Sequence, residues 1–145
     1  MTDRGLSTTV GYVLNLVVAT VLIAGLLTAT AGVVEHRQQA AVRTELGVVG
    51  QRLAANLMAA DRLAVVGGDS GRVSLVTSLP EQVAGVRYTV AVNASRHASY
   101  VTLTAQHPDV VVRVRFRNET RVGNATLHGG PVTVVRRHGV LEVHE

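Results

Sequence analysis

The hydrophobic and polar positions divide the chain into three zones, and the first zone is continuously apolar. No acidic or basic side chain occurs between Leu6 and Val34, and from Val10 onward the run consists mostly of Val, Leu, Ile, Ala and Gly. A helix of about 25 residues at ~1.5 Å per residue is ~37 Å long, which exceeds the ~30 Å hydrocarbon core of a bilayer. This zone therefore predicts a transmembrane helix over residues 6–34.

In the second zone, residues 35–66, apolar positions recur at helical spacing. They form one stripe along a helix: Val42, Leu46, Val49, Leu53, Leu57, Ala60 and Ala64. Charged and polar residues fall largely off this stripe: Arg37, Arg43, Gln51, Arg52 and Asp61. No Pro interrupts the first two zones, so the pattern predicts one continuous helix of about 55 residues. Gly47 and Gly50 weaken it by roughly 1 kcal/mol each and indicate a bend or a close helix contact.

The third zone, residues 72–145, follows the glycine-rich segment Gly67–Gly71, which is expected to end the helix, and has a period of two. The clearest alternation sets Val110, Val112, Val114 and Phe116 against Val111, Arg113, Arg115 and Arg117. About six or seven strands are predicted: 73–79, 86–93, 100–104, 110–117, 120–127, 132–137 and 140–144. The last two are joined at His138–Gly139. Short links favour antiparallel pairing, so the sequence predicts an α+β fold with a small antiparallel β-meander or sandwich head.

The apolar zone can be processed in three ways. It remains as an anchor that begins at Met1, or it is a secretory signal cleaved near Ala29–Ala31, or it is preceded by a short segment that is removed. An ordinary secretory signal has an apolar core of about 7–15 residues, which is shorter than this run. The sequence therefore favours a helix that is retained.

The residues at the start of the apolar zone resemble a known processing signal. Asp3-Arg4-Gly5, followed by Leu6-Ser7-Thr8-Thr9-Val10-Gly11-Tyr12-Val13-Leu14, is similar to the class III signal peptide of archaeal type IV pilins. The resemblance implies that residues 1–5 are a signal peptide, that a prepilin peptidase cuts after Gly5, and that Leu6 becomes the mature N-terminus. It also implies that the retained helix packs into the core of a filament. Val10 stands where bacterial pilins carry a Glu, so the subunit-registration role of that acid has no carrier here.

A second resemblance is less specific. Residues 35–63 and 78–85 are similar to an uncharacterised group of short haloarchaeal membrane proteins associated with pilin-like genes. This similarity implies a membrane protein and no particular chemistry.

Small residues in the apolar zone predict where such helices pack. Lipid provides no hydrophobic drive between helices, so close packing needs small side chains. Gly25, Ala29 and Gly32 lie on one side of the helix at spacings of 4 and 3 residues. Asn15 adds an amide that a partner helix would satisfy. Gly and Ala are also frequent in membrane helices generally, and that alternative stays open.

Three Asn-x-Ser/Thr sequons in the third zone predict an exported, glycosylated head. They begin at Asn93, Asn118 and Asn124. Arg placement alone predicts a cytoplasmic head, because Arg37 and Arg43 follow the apolar zone while the charge of Arg4 before it is nearly cancelled. The signal-like start and the sequons together favour a single-pass protein of the cell membrane with its head outside.

Composition removes several classes of function. The chain has no Cys, which excludes thiolate metal sites, and no Lys, which excludes a Walker phosphate loop. The His residues form no i, i+4 pair on a helix and no Gly-x-Ser-x-Gly occurs, so we expect no enzyme and no cofactor. The net charge of +4 lies in residues 72–145, which is too weak a signal to predict a nucleic-acid partner. Arg113, Arg115 and Arg117 are expected to form a solvated sheet face.

Together with these patterns, the resemblance to archaeal type IV pilins implies a structural pilin-like subunit, of the minor-pilin type, anchored in the membrane and assembled into a type IV pilus-like surface structure. The expected partners are the membrane, prepilin peptidase, and other pilin-like subunits or further copies of the chain. The alternative is a membrane-tethered extracellular β-domain that binds a surface ligand or partner without polymerising. The expected division is a signal peptide (1–5), a transmembrane helix (6–34), an amphipathic helix (35–66) and a β-rich head (72–145).

Overall fold

A single long helix forms the N-terminal part of the protein. The computed structural model describes the backbone of residues 3–68, 71–95 and 98–145 and, apart from residues 3–8 and 30–32, their side chains. Helix α1 runs without interruption from Asp3 to Val66, as the absence of Pro predicts. It ends where the Gly67 N–H donates to the Leu63 carbonyl over 2.9 Å and Gly68 takes a φ of 56°. Glycine adopts this left-handed conformation at little cost, so it commonly ends helices.

In the described part of the chain, eight strands follow the helix and form the head. They are β1 (Ser74–Leu79), β2 (Tyr88–Ala94), β3 (Ser99–Gln106), β4 (Asp109–Phe116), β5 (Arg121–Val122), β6 (Ala125–His128), β7 (Gly130–Arg137) and β8 (Val140–His144). Sheet A has the strand order β1-β7-β8-β5, and sheet B has the order β4-β3-β2-β6. One long apolar helix followed by a small, mostly antiparallel β head confirms the predicted α+β fold.

Tight turns join two pairs of strands that are consecutive in the chain and neighbours in a sheet. His107–Pro108 connects β3 to β4, and His138–Gly139 connects β7 to β8 with positive φ angles of 50° and 75°. One pair differs from the prediction, because β5 lies parallel to β8. These two strands are not consecutive, so the short-link argument for antiparallel pairing does not apply to them. The predicted strand 120–127 is divided into β5 and β6 because its two parts belong to different sheets.

The second half of α1 belongs to the same compact unit as the head, residues 38–145. Every residue of the predicted stripe is buried: Val42, Leu46, Val49, Leu53, Leu57, Ala60 and Ala64. These side chains share one hydrophobic core with Val90 and Leu103 of sheet B and with Val134 and Leu141 of sheet A. The helical stripe is therefore confirmed as the face of α1 that the two sheets cover.

Polar contacts fix the position of α1 against sheet A. The Asn56 Nδ2 donates to Thr77 Oγ1 of β1 over 2.9 Å. At the end of the helix, Arg136 of β7 donates to the Ala64 carbonyl over 3.2 Å and also to the Gly68 carbonyl. Because a side chain of β7 donates to the carbonyl of Ala64, in the last turn of the helix, the helix terminus and the sheet stabilise each other.

The connection between β1 and β2 is held in a similar way. The Ala84 N–H donates to Glu45 Oε2 of α1 over 2.6 Å, and the Tyr88 hydroxyl donates to the Pro80 carbonyl over 2.6 Å. Burial raises the pKa of Tyr88 to about 12, so this hydroxyl keeps its proton at alkaline pH values at which an exposed tyrosine ionises.

Gly50 lies where α1 closely approaches sheet B. A Cβ atom at this position would lie 2.7 Å from Leu103 Cδ1 and 2.9 Å from Val114 Cγ2, which is closer than van der Waals contact. Among the described residues, no atom lies within 4 Å of the corresponding Cβ position at Gly47. The close contact expected for this glycine pair is thus found at Gly50 alone.

We predict that Gly47→Ala and Gly50→Ala change stability in opposite directions. Gly47→Ala should raise the free energy of unfolding by up to ~1 kcal/mol, because Ala favours the helix and meets open space. Gly50→Ala should lower it by about 1–2 kcal/mol, because strain against Leu103 and Val114 outweighs the same gain. Urea unfolding of the full chain in detergent measures both values. Equal stabilisation by the two variants would contradict the close approach at Gly50.

Candidate functional site

The first unit of the chain, residues 1–37, exposes a long apolar surface. We use this name for the large hydrophobic side chains from Val10 to Leu27, which are between 49% exposed at Val18 and 74% exposed at Tyr12. The helix is long and apolar enough to cross a membrane, and none of its most apolar 18-residue window is buried. Soluble monomers rarely expose more than a few hundred Å² of contiguous apolar area, so this surface calls for lipid or protein contact.

The polar groups within this surface are suited to an apolar solvent. Thr20 Oγ1 donates to the Leu16 carbonyl over 2.8 Å, and Thr28 Oγ1 donates to the Ala24 carbonyl over 2.9 Å. Both hydroxyls are therefore satisfied within the helix, as hydrocarbon requires. The Asn15 amide differs, because among the described residues it has no hydrogen-bond partner and it is exposed.

The predicted packing face is open at the two residues whose surroundings are described. Ala29 is exposed, and no described atom lies within 4 Å of the Cβ position of Gly25. The backbone at Gly32 is helical, and its surroundings lie outside the described part of the chain. The same holds for Gly5 and Leu6 at the predicted cleavage site, so these roles stay predictions.

The three sequon asparagines occupy different environments. Asn93, near the end of β2, is exposed, and so is Asn124, whose Oδ1 accepts the Ala94 N–H over 2.9 Å. Asn118 is half-buried: its Oδ1 accepts from Ser99 Oγ over 2.6 Å, and its Nδ2 donates over 2.9 Å to the carbonyl two residues along the chain. A bulky glycan requires an open side chain, so the geometry favours Asn93 over Asn118 as an acceptor.

A buried carboxylate connects α1 to the segment that carries Asn118. Asp61 is 6% exposed, and its two oxygens accept the backbone N–H groups of Glu119 and Thr120 over 2.9 and 2.7 Å. The expectation that Asp61 lies off the buried stripe is wrong, because the segment after β4 folds over it and supplies both donors. Its spacing of four residues from Leu57 was the available signal in the sequence.

The arginine face is exposed as predicted. Arg113, Arg115 and Arg117 point away from the core, and the Arg113 guanidinium lies 5.5 Å from the centre of the Tyr100 ring, within cation–π range. Arg115 and Arg117 also border, together with Arg62 of α1, an open groove of about 460 Å³. The arginine face therefore consists of solvent-exposed guanidinium groups, two of which border the groove.

No metal site is found in the part of the chain that the structure describes. Within it, no group of three or more His, Asp or Glu side chains is placed to hold an ion. Five of the six His residues are exposed there, and His97 lies outside it.

These features define a class of protein: a chain with one helix long and apolar enough to span a membrane, followed by a small two-sheet β head. Within that class, the chain belongs to DUF7266, a family of unknown function, whose model matches residues 1–143. The match covers the helix and nearly all of the head, so the family relationship applies to the whole architecture. No curated protein and no solved structure matches the chain. The resemblance to archaeal pilins therefore rests on the sequence alone, by motif at residues 3–34 and by length and pattern to about residue 64.

We predict that Asp61 is required for the stability of the head. Asp61→Ala should lower the free energy of unfolding by about 2–4 kcal/mol, because two partly buried N–H groups lose their acceptor. Hydrogen exchange at the Glu119 and Thr120 amides should become faster in the same variant. Asp109→Ala, at an exposed acid of β4, is the control and should change stability by less than ~0.5 kcal/mol. Equal effects of the two substitutions would contradict the anchoring role.

Proposed function

We propose that the chain is a structural, pilin-like subunit that α1 anchors in the cell membrane and that assembles through α1 into a filament-like surface structure. The observation that carries the proposal is the exposed apolar surface from Val10 to Leu27, on a helix that continues into the core of a folded head. A simple anchor needs only the membrane-spanning length. A subunit also needs its head fixed to that helix, and the buried stripe of α1 supplies this connection.

Assembly through α1 is supported by the small residues on the apolar surface. Helices in lipid associate by close backbone approach and by polar side chains that find partners. Gly25 and Ala29 leave room for such an approach, and Asn15 offers an amide without a partner among the described residues. Other pilin-like subunits, or further copies of this chain, fit this requirement.

An extracytoplasmic head is supported by the sequons. Asn93 and Asn124 are both exposed, so two acceptor side chains are accessible to a glycosylating enzyme. The segment after the apolar zone is a long helix whose apolar stripe is buried in the head, rather than a short loop, so the Arg count that opposes this orientation has less weight.

A second candidate is a membrane-tethered β-domain that binds a surface ligand or partner without polymerising. The groove bordered by Arg62, Arg115 and Arg117 favours it, because these three guanidinium groups outnumber the two carboxylates that also line the concave surface, Asp61 and Glu119, and so suit an anionic ligand. The two candidates differ in processing. A filament subunit must lose its signal peptide, whereas a tethered domain has no such need.

We predict that the mature protein begins at Leu6 and retains α1. Intact-mass measurement of the chain extracted from membranes of its native host should show the loss of residues 1–5. Gly5→Leu should block this loss, because the peptidase expected from the resemblance cuts after a small residue. Gly47→Ala, which lies outside the signal-like residues 3–14 and meets open space, is the control and should be processed normally.

Two masses would contradict the proposal. A chain that begins at Met1 would exclude the proposal of a filament subunit and favour the tethered β-domain. A chain that begins at Gly32 would establish an ordinary secreted protein that has lost its apolar surface.

A further inference from the structure

Sheet A ends in an edge strand without the usual protection against pairing. β1 pairs with β7 on one side, and no strand in the described residues pairs with its other side. An open edge presents unpaired backbone N–H and C=O groups and joins other strands unless charges, Pro or a bulge prevent it. The sequence of β1, Ser74-Leu75-Val76-Thr77-Ser78-Leu79, contains no charged residue and no Pro.

The register of sheet A shows which backbone groups face the open edge. The Arg136 N–H donates to the Val73 carbonyl over 3.0 Å, so these residues form a hydrogen-bonded pair just before β1. Bonded and non-bonded pairs alternate along an antiparallel ladder, so the odd-numbered residues of β1 bond to β7. Pro131, which has no N–H, lies opposite Ser78 and agrees with this assignment, because that pair is a non-bonded one.

The even-numbered residues of β1 therefore direct their N–H and C=O groups away from β7. These residues are Ser74, Val76 and Ser78, and all three side chains are exposed. Val76 is 69% exposed although it is a large hydrophobic residue in a strand. The open edge thus offers backbone bonding groups beside a central apolar side chain, with no charge among them.

The other sheet edges are less suited to pairing with a copy of themselves. β5 has 2 residues and β6 has 4, which limits any ladder they form. β4 has 8 residues but carries Arg113 and Arg115 on its exposed face. Pairing two β4 edges would bring these like charges together, which is unfavourable. Charge and length therefore single out β1 as the edge that is compatible with self-pairing.

We propose that β1 of one copy pairs antiparallel with β1 of a second copy, centred on Val76. Val76 then lies opposite Val76 of the second copy, and Ser74 lies opposite Ser78. About six backbone hydrogen bonds form, because each of the three pairs contributes two. The contact uses the same patch on both copies and joins two four-stranded sheets into one. It lies in the head and does not depend on assembly through α1.

The chain is well suited to a crosslinking test because it has no Cys. Val76→Cys introduces a single thiol, and the Cα atoms of a hydrogen-bonded antiparallel pair are ~5.5 Å apart, within the range of a disulfide. The full chain in membranes of its native host, treated with a mild oxidant, should give a disulfide-linked dimer. Val111→Cys, at an exposed valine of the β4 edge, should give roughly tenfold less dimer, because it lies outside the contact.

The register provides a sharper control. Ser74→Cys alone should form little dimer, because Ser74 of one copy lies opposite Ser78 and not opposite Ser74 of the other. Co-expression of Ser74→Cys with Ser78→Cys should restore the dimer. Adding Val76→Pro to both co-expressed chains should abolish the dimer, because Pro lacks the Val76 N–H that would bond to the second copy. The substitution should leave the head folded, because that N–H has no partner within one copy and Pro is tolerated in an edge strand.

Three results would overturn the proposal. One is the absence of a Val76→Cys dimer while the head remains folded, as shown by slow hydrogen exchange at the Thr120 amide. Another is a dimer yield from Ser74→Cys alone that equals the yield from Val76→Cys, because crosslinking would then reflect random collision and not a fixed register. The third is a Val76→Cys adduct with a different protein in place of the dimer, which would assign the β1 edge to another partner.

Discussion

Burial of one helical stripe is the interaction on which the rest of the structure depends. Two four-stranded sheets of short strands enclose little apolar volume, and small domains bury too little surface to be stable without further elements. The stripe from Val42 to Ala64 fills the space against both sheets, and Asp61 and Arg136 add polar connections at its end. Residues 38–145 therefore fold as one unit. The same helix continues through the exposed apolar surface. α1 therefore carries both the stripe that is buried in the head and a stretch that is long and apolar enough to span a membrane.

The sequence predicts those features that depend on local periodicity. The stripe with a period of 3.6 and the alternation around Arg113 both correspond to observed burial. Prediction from the sequence fails where the burial of a side chain depends on residues that are distant in the chain. Asp61 is buried only because residues 119 and 120, nearly sixty positions later, donate to it. The parallel pairing of β5 with β8 likewise depends on where two non-consecutive strands meet.

The candidate site shows the same division. Its apolar character and length are visible in composition alone, whereas the packing face at Gly25 and Ala29 stays a prediction. The three sequons look equivalent in the sequence, yet Asn118 is held by Ser99 and half-buried while Asn93 is open. No local pattern distinguishes them, because the difference arises from tertiary hydrogen bonds. The uncharged edge at β1 likewise depends on the strand order of sheet A, which no local pattern in the sequence predicts.

The proposed contact between copies of α1, through the face at Gly25 and Ala29, is tested most directly by crosslinking. Leu22→Cys places a single thiol on this face, and oxidation of native-host membranes should give a disulfide-linked dimer. Adding Gly25→Leu and Ala29→Leu should abolish that dimer while membrane insertion is kept, since Leu is apolar but prevents close approach. Adding Ala24→Leu, about 100° around the helix from Gly25, should leave it unchanged. An equal dimer yield in the Gly25→Leu, Ala29→Leu variant would contradict the proposed contact.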